Sequence, residues 1–371
     1  MQTVSQSWLV LELTGSPLRL GLVSTLQFGP ILLLSVFTGV LADRVTRRHI
    51  LVTTQAIQAC LAVTLGLLVW SDRAAYWHVA ILAVLWGVAS ALDQPARLSF
   101  VMELAGRQGV ASAVGLSAAS FNAARIVGPA VAGVLIARVG LAWGFLLNVL
   151  TFAVAIGTLL RVPARPPRPR PPGTSFTSEL AEGLLYAART RIVRLVLALQ
   201  VIVSFCVFNF TVYVPLLARE VLGLGSEGFG FLMTALGVGA VLAGLTLGAR
   251  QPPPAGIAVA AAVALTMLLG LAAARHVWVA AVLLGLTGFS GTLVMAGCNS
   301  FLQLTVPEAL RGRVMSVYIV LSGGIFPVGA FFIGLVSQGW GVSTAFAVNG
   351  TLGLCALALL RPWKARPGSR L

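Results

Sequence analysis

Residues 18–70 read LRLGLVSTLQFGPILLLSVFTGVLADRVTRRHILVTTQAIQACLAVTLGLLVW. Two apolar stretches, Leu18 to Leu41 and Ile50 to Trp70, flank a short gap that holds Asp43, Arg44, Arg47, Arg48 and His49. An α-helix rises about 1.5 Å per residue, so each stretch is long enough to cross the ~30 Å hydrocarbon core of a bilayer. The pattern recurs at Trp77 to Leu92, Val110 to Ala137, Leu141 to Leu160, Ile192 to Leu217, Phe229 to Gly248, Gly256 to Ala273, Val277 to Asn299, Val314 to Val336 and Val342 to Leu360. Eleven complete spans are therefore expected. A shorter piece, Thr3 to Leu13, opens the chain and cannot span alone.

Composition agrees. Of the 371 residues, 58% are hydrophobic and 9% charged, and the mean hydropathy is +0.96, so there is too little polar surface to coat a water-soluble globule of this size. The net charge of +15 would suit a nucleic-acid partner only if Lys and Arg gathered on one face or in a tail. They lie instead in the gaps between apolar runs, and no nucleic-acid partner is expected. Cys60, Cys206, Cys298 and Cys355 each fall inside an apolar run, without the paired spacing of a zinc site or disulfide framework. His49, His78 and His276 are scattered over different gaps. Gly223 to Gly228 (GLGSEG) imitates a dinucleotide fingerprint but has no strand before it. No enzyme, metal or cofactor is expected. The uncharged opening Met1-Gln2-Thr3 lacks the basic n-region of a cleavable signal peptide.

Lys and Arg accumulate on the cytoplasmic side of spans. Of the 25 such residues, most lie in alternate gaps, among them Arg44, Arg47, Arg48, Arg97, Arg107, Arg161 to Arg194, Arg250, Arg311, Arg313 and the C-terminal Arg361 to Arg370. The opposite gaps hold only Arg19, Arg73, Arg138, Arg219 and Arg275, and Arg125 alone lies within a span. The central loop and C-terminus are thus expected in the cytoplasm of a bacterial cell, with the chain in the inner membrane.

The stretch RVPARPPRPRPPGTSFTSEL, from Arg161, has the composition of an extended or flexible linker. It sets expected boundaries at 1–161 (first helical half), 162–191 (linker), 192–361 (second half) and 362–371 (tail). The halves resemble copies of each other: Phe145-Leu146-Leu147-Asn148 matches Phe346-Ala347-Val348-Asn349, Pro129 and Gly140 match Pro327 and Gly339, and Glu12, Gly21 and Arg44 match Glu220, Gly230 and Arg250. Duplication of six-helix units is a known way to build a transporter with its site between the repeats. The alignment puts Met1 opposite Phe208 or Asn209, so about half of one helix is expected to be missing from the first half, as a truncated gene or a downstream start codon would produce.

The chain resembles the Major Facilitator Superfamily, and within it the bacterial enterobactin-exporter and macrolide-efflux type related to drug:proton antiporters. The resemblance rests on Gly39-Val40-Leu41-Ala42-Asp43-Arg44-Val45-Thr46-Arg47-Arg48, Asp93-Gln94-Pro95-Ala96-Arg97, Gly128-Pro129, and Arg311-Gly312-Arg313-Val314-Met315-Ser316. It implies an all-α membrane protein of two six-helix repeats. It also implies a gating motif of Gly39, Asp43, Arg44, Arg47 and Arg48, in which Asp43 docks near Arg311 and Arg313; the alternative is that the arginines only set topology and touch anionic lipid. Thr46 stands where the family usually has Gly. Gly128, Pro129 and Gly133 form a candidate helix-kink motif, although Ala124 and Ala132 replace two of the family's glycines, and ordinary close packing explains each glycine singly.

Arg125 is the most costly residue in the sequence, since a guanidinium at mid-membrane costs at least about 2.5 kcal/mol unless paired or hydrated. It is a candidate for holding a polar substrate group or for an internal pair. Glu12, Asp43, Asp93 and Glu220 are the acids near span ends from which a proton carrier could come; the resemblance points to Glu12, since related exporters carry titrating acids in the first span, against the simpler reading of Glu12 as a helix-end charge. Gln27, Asn122, Asn209, Phe210, Tyr213, Asn299, Gln303 and Tyr318 are candidate cavity residues. The resemblance implies a monomeric secondary exporter of an amphipathic small molecule (drug, macrolide or siderophore), driven by protons and surrounded by membrane lipid. The alternatives are a lysophospholipid flippase or an inactive truncated remnant.

Overall fold

In bilayer hydrocarbon each backbone N–H and C=O must find a partner within the chain, which restricts a lipid-exposed span to helix or closed barrel. The computed structural model describes residues 1–163, 176–249 and 252–360; the side chains at 35–44, at most positions from 106 to 126 and at a few scattered others lie outside the description. Every regular element among the described residues is helical. The chain divides into two compact units, Met1–Gly173 with Leu224–Gly230, and Thr174–Gly223 with Phe231–Leu371.

The first unit contains α1 (Gln2–Thr14), α2 (Pro17–Arg44), α3 (Arg47–Trp70), α4 (Tyr76–Arg138) and α5 (Leu141–Arg161). The second contains α6 (Phe176–Arg189), α7 (Arg191–Cys206), α8 (Phe210–Leu216) running into a π-turn (Leu217–Val221), α9 (Ser226–Ala249) beyond its first turn, α10 (Pro254–Ala273), α11 (Val277–Thr305), α12 (Glu308–Trp340) and α13 (Val342–Leu360). Tight reversals use glycines in conformations other residues rarely adopt: Gly15 (φ 57°) ends α1 and Gly140 (φ 106°) opens α5.

Large apolar side chains point outward, as at Leu245 (68% exposed) and Leu359 (83%), while Ser5, Gln6, Gln27, Gln200, Asn209 and Asn349 are buried. In water this distribution would be inverted; in lipid it is the expected one. Exposed tryptophans sit at helix ends: Trp70 ends α3, Trp77 and Trp143 lie in the first turns of α4 and α5, Trp278 in the first turn of α11, and Trp340 ends α12. All five border the arginine-poor gaps, where an aromatic belt anchors spans at the membrane surface.

Ten described helical segments are long and apolar enough to cross a membrane. Two differ from the sequence expectation. The spans expected at Trp77 to Leu92 and Val110 to Ala137 lie in one continuous helical stretch, α4, which carries the 30-residue segment Tyr76–Ala105 and the shorter apolar segment Val127–Arg138; the intervening side chains are largely outside the described residues. The span expected from Ile192 to Leu217 is interrupted at Val207–Asn209. A third difference lies in the proline-rich stretch. Residues 164–175 are outside the described residues, but 176–189 form helix α6 rather than extended chain.

Candidate functional site

The expected gating motif begins in the last turns of α2. Gly39, Asp43 and Arg44 are helical there, but their side chains lie outside the described residues, and with them the expected docking of Asp43 on Arg311 and Arg313. The described arginines of the motif hold their own unit together. Arg47 pairs with Glu103 of α4 at 2.7 Å, and Arg48 donates to the carbonyl of Leu160 at 2.8 Å, capping the last turn of α5 where the helix dipole favours a cation. Beside them Asp93, 6% exposed, accepts from Thr54 (2.9 Å), Gln55 (3.0 Å) and both Nε and Nη2 of Arg97 (3.0 and 2.6 Å). Ile50, Leu51, Ala96 and Phe100 form a small apolar core in the same part of the unit. Thr54, Gln55 and Arg97 all meet on this one carboxylate, so Asp93 serves as a fixed joint between α3 and α4. In the second unit Arg313 pairs with Glu182 of α6, and Arg311 is exposed.

The interruption in the second unit is built from local hydrogen bonding. Phe208 N–H reaches back to Val203 C=O at 3.2 Å, a five-residue step that closes α7, and Asn209 restarts the chain as the N-cap of α8. Its amide does not cap forward; Nδ2 turns back and donates to the freed carbonyls of Phe205 (2.9 Å) and Ser204 (3.4 Å). Gly329 of α12 lies against this joint, and a Cβ there would fall 2.5 Å from Asn209 Nδ2. Near the joint several buried polar atoms have no hydrogen-bond partner among the described residues: Asn209 Oδ1, Tyr213 OH, Thr211 Oγ1, Gln200 Oε1 and, on α13, Asn349 Oδ1. Tyr213 stacks on Phe346, with centroids 4.5 Å apart. An orphaned buried acceptor costs about 1–3 kcal/mol, and discontinuous helices in transporters line substrate and ion sites. Asn209 and Tyr213, both expected cavity residues, stand one turn apart at the start of α8, the Tyr213 N–H donating to Asn209 C=O at 3.0 Å.

In the first unit, polar side chains pair between helices. Asn148 of α5 donates to Gln2 at 3.4 Å, Gln6 donates to Gln27 of α2 at 3.3 Å, and Ser5 Oγ, without a hydrogen-bond partner among the described residues, lies against Gly144. Asn148 thus reaches the opening helix of its unit, whereas Asn349, its match in the sequence repeat, donates to Ala345 C=O of its own helix at 3.0 Å. Sequence reasoning missed Gln2, Ser5, Gln6, Gln200 and Asn349 as site residues. The signal was present for Gln200 and Asn349, polar side chains inside apolar runs, whereas Gln2, Ser5 and Gln6 sit in the polar opening MQTVSQS.

Other expected residues lie elsewhere. Glu12 is exposed at the end of α1, where it accepts from the Trp8 indole at 2.7 Å and lines a shallow cleft of about 490 Å³ with Asp72, Trp70 and Trp143. Asn299 is half-buried and bonds Gln303, while Tyr318 donates to Met295 C=O at 3.0 Å. Asn122 and Arg125 lie outside the described side chains. Pro129 is buried, and a Cβ at Gly128 would come 3.4 Å from the Met1 nitrogen, an ordinary contact, but Gly133 is a much closer one: a Cβ there would sit 2.7 Å from the Cα of Gly230.

Over residues 1–369 the sequence matches the family described as transmembrane secretion effector. The chain belongs to the Major Facilitator Superfamily. Relatives of this superfamily member include the staphyloferrin A transporter of Staphylococcus aureus, 25% identical over 95% of the chain and 89% of the relative, and the enterobactin exporter of Escherichia coli O81, 25% identical over 96% and 87%. Among solved structures, the nucleoside transporter NupG superposes with a TM-score of 0.76 at 11% identity, covering 98% of this chain and 95% of that one. A bacterial homologue of the human lysosomal transporter Spinster, inward-facing and occupied, gives 0.73 at 15% identity, covering 96% and 91%. The superfamily is one of transporters, not enzymes, and the chain is a multi-pass membrane transporter of small molecules.

Proposed function

We propose that this transporter exports a siderophore-class molecule, amphipathic and rich in oxygen donors and acceptors, by alternating access in exchange for protons. The observation that carries the reading is its full-length likeness, at 25% identity, to two relatives named for siderophores, the staphyloferrin A transporter and the enterobactin exporter. The orphaned amide oxygens of Asn209, Gln200 and Asn349 and the Tyr213 hydroxyl support it, because they can accept from a ligand's O–H and N–H groups where no group among the described residues does so. The arginine asymmetry supports a bacterial inner-membrane location with the central loop and C-terminus cytoplasmic, and the fold is read as working as a monomer.

The test is efflux from a siderophore-producing host whose own exporters are deleted. Expression of the chain should raise extracellular siderophore and lower the cell-associated pool, and a protonophore should abolish the effect. If both pools stay unchanged while the protein is present in the membrane, the siderophore reading fails; if export continues with the proton gradient collapsed, only the coupling ion is wrong.

A further inference from the structure

Helix α6 is not a span. Its 14 residues measure about 21 Å, less than a bilayer core. At 100° per residue, Gly183 and Ala187 mark one side, buried against the unit, and a Cβ at Gly183 would meet the carbonyl of Arg313 and Cγ2 of Val317. From about 100° to 200° away run Leu184, Ala188, Ala181 and Leu185, all exposed, Leu184 by 48% and Leu185 by 51%. Beyond them come the exposed polar residues Arg189 and Glu182. The helix thus has two apolar strips, one of them uncovered within its unit.

The depth of α6 says what covers the second strip. Its contacts Arg313 and Val317 lie 3 and 7 residues into the 31-residue apolar window Leu310–Trp340 of α12. That window is about 46 Å long against a core of about 30 Å, so about 8 Å overhangs at each end. With that segment centred on the core, Arg313 and Val317 stand about 4.5 and 10 Å from its end, on either side of the boundary between headgroups and acyl chains. A helix resting on both lies in that boundary. The charges fit the same layer: Arg189 and Arg191 are exposed, with no carboxylate partner among the described residues, while Arg194 caps α6 by donating to Ala188 C=O at 2.8 Å.

We propose that α6 is an interfacial helix, seating Leu184 and Leu185 at the acyl boundary and binding anionic phospholipid headgroups through Arg189 and Arg191. Helices of this kind gain affinity from buried apolar area together with attraction to anionic lipid. Because Glu182 of the same helix pairs with Arg313, the lipid-bound strap is fastened to the first turns of α12.

The test places single spin labels on the full chain in vesicles, after replacing Cys60, Cys206, Cys298 and Cys355 by Ala. Leu184→Cys and Leu185→Cys are compared with Asp72→Cys as a water reference and Leu245→Cys as a lipid reference. In phosphatidylglycerol-containing vesicles the ratio of oxygen to nickel-chelate accessibility at 184 and 185 should be several-fold above that at 72 and approach that at 245. It should fall when phosphatidylcholine replaces phosphatidylglycerol or when salt is raised. Labels at 184 and 185 as wet as at 72 would overturn the proposal in favour of a soluble partner for this face. An independent readout avoids the cysteine changes: native mass spectrometry of the chain released from equimolar phosphatidylcholine and phosphatidylglycerol should show phosphatidylglycerol enrichment, lost in Arg189→Gln/Arg191→Gln. Equal enrichment in both would likewise overturn it.

Discussion

Asp93 offers a perturbation whose size follows from counted bonds. Asp93→Ala removes the acceptor of four contacts at once. The consequences differ by donor. Thr54 keeps a second acceptor, Leu51 C=O at 3.1 Å, so it is not orphaned. Gln55 is buried and has no other acceptor among the described bonds, so its amide is left unsatisfied at a cost of about 1–3 kcal/mol. The Arg97 side chain is 53% exposed, so water replaces much of its pairing, and its loss contributes about 1 kcal/mol. Together with the lost bonds to a charged acceptor, Asp93→Ala should destabilise by about 3–5 kcal/mol. Arg97→Ala should cost only about 1–2, and Asp93→Asn should fall between them, since it retains one acceptor for Thr54 and Gln55. Thermal unfolding in detergent, followed by loss of the monodisperse elution peak, gives the ranking without assuming reversibility. If Arg97→Ala costs as much as Asp93→Ala, the joint is an ion pair rather than a hydrogen-bonded node, and the reasoning is wrong.

Gly239 lies so close to α11 that a Cβ would fall 1.8 Å from the carbonyl of Gly285, so Gly239→Ala should cost about 1–3 kcal/mol by overpacking. Gly244→Ala, on the same helix with nothing within 4 Å, should leave the melting temperature unchanged or slightly raised, and the pair is read in one melting series. Tyr213→Phe deletes a buried hydroxyl that has no partner among the described residues, so stability should hold or rise by about 1 kcal/mol while siderophore efflux falls; equal loss of both would make Tyr213 a packing residue. Asn209→Ala frees the carbonyls of Ser204 and Phe205 and should reduce efflux by more than its fall in membrane abundance explains, measured by quantitative immunoblot alongside transport.

Span positions were legible because they depend on local hydropathy alone: the ends of α3 and α5 fall at Trp70 and Arg161, within a residue of the apolar runs. The repeat was legible too, since Asn148 and Asn349 are polar exceptions inside otherwise apolar helices. The break at Val207–Asn209 was not, because it arises from a five-residue backbone step and an amide turning backwards, and neither leaves a distinct mark on composition. Helix α6 was masked by its neighbours. The prolines before it dominate the window, although Gly183, Leu184 and Ala187 already carry a helical period. The partners of Arg47, Arg48 and Arg313 depend on which helices adjoin, so the motif located these arginines without naming Glu103, Leu160 or Glu182.

The contact of Gly133 with Gly230 has a consequence for how the gene can be divided. Residues 224–230 belong to the compact unit built from the start of the chain, although they are translated after the linker. A cut within 164–175 would therefore produce an N-terminal fragment lacking one turn of its own unit and a C-terminal fragment carrying that turn with no groove to receive it. Expressed alone, each piece should be a substrate for membrane proteases; expressed together, they should rescue one another. Shuffling halves between relatives at the linker would succeed only when the small residues facing each other at 133 and 230 are exchanged as a pair.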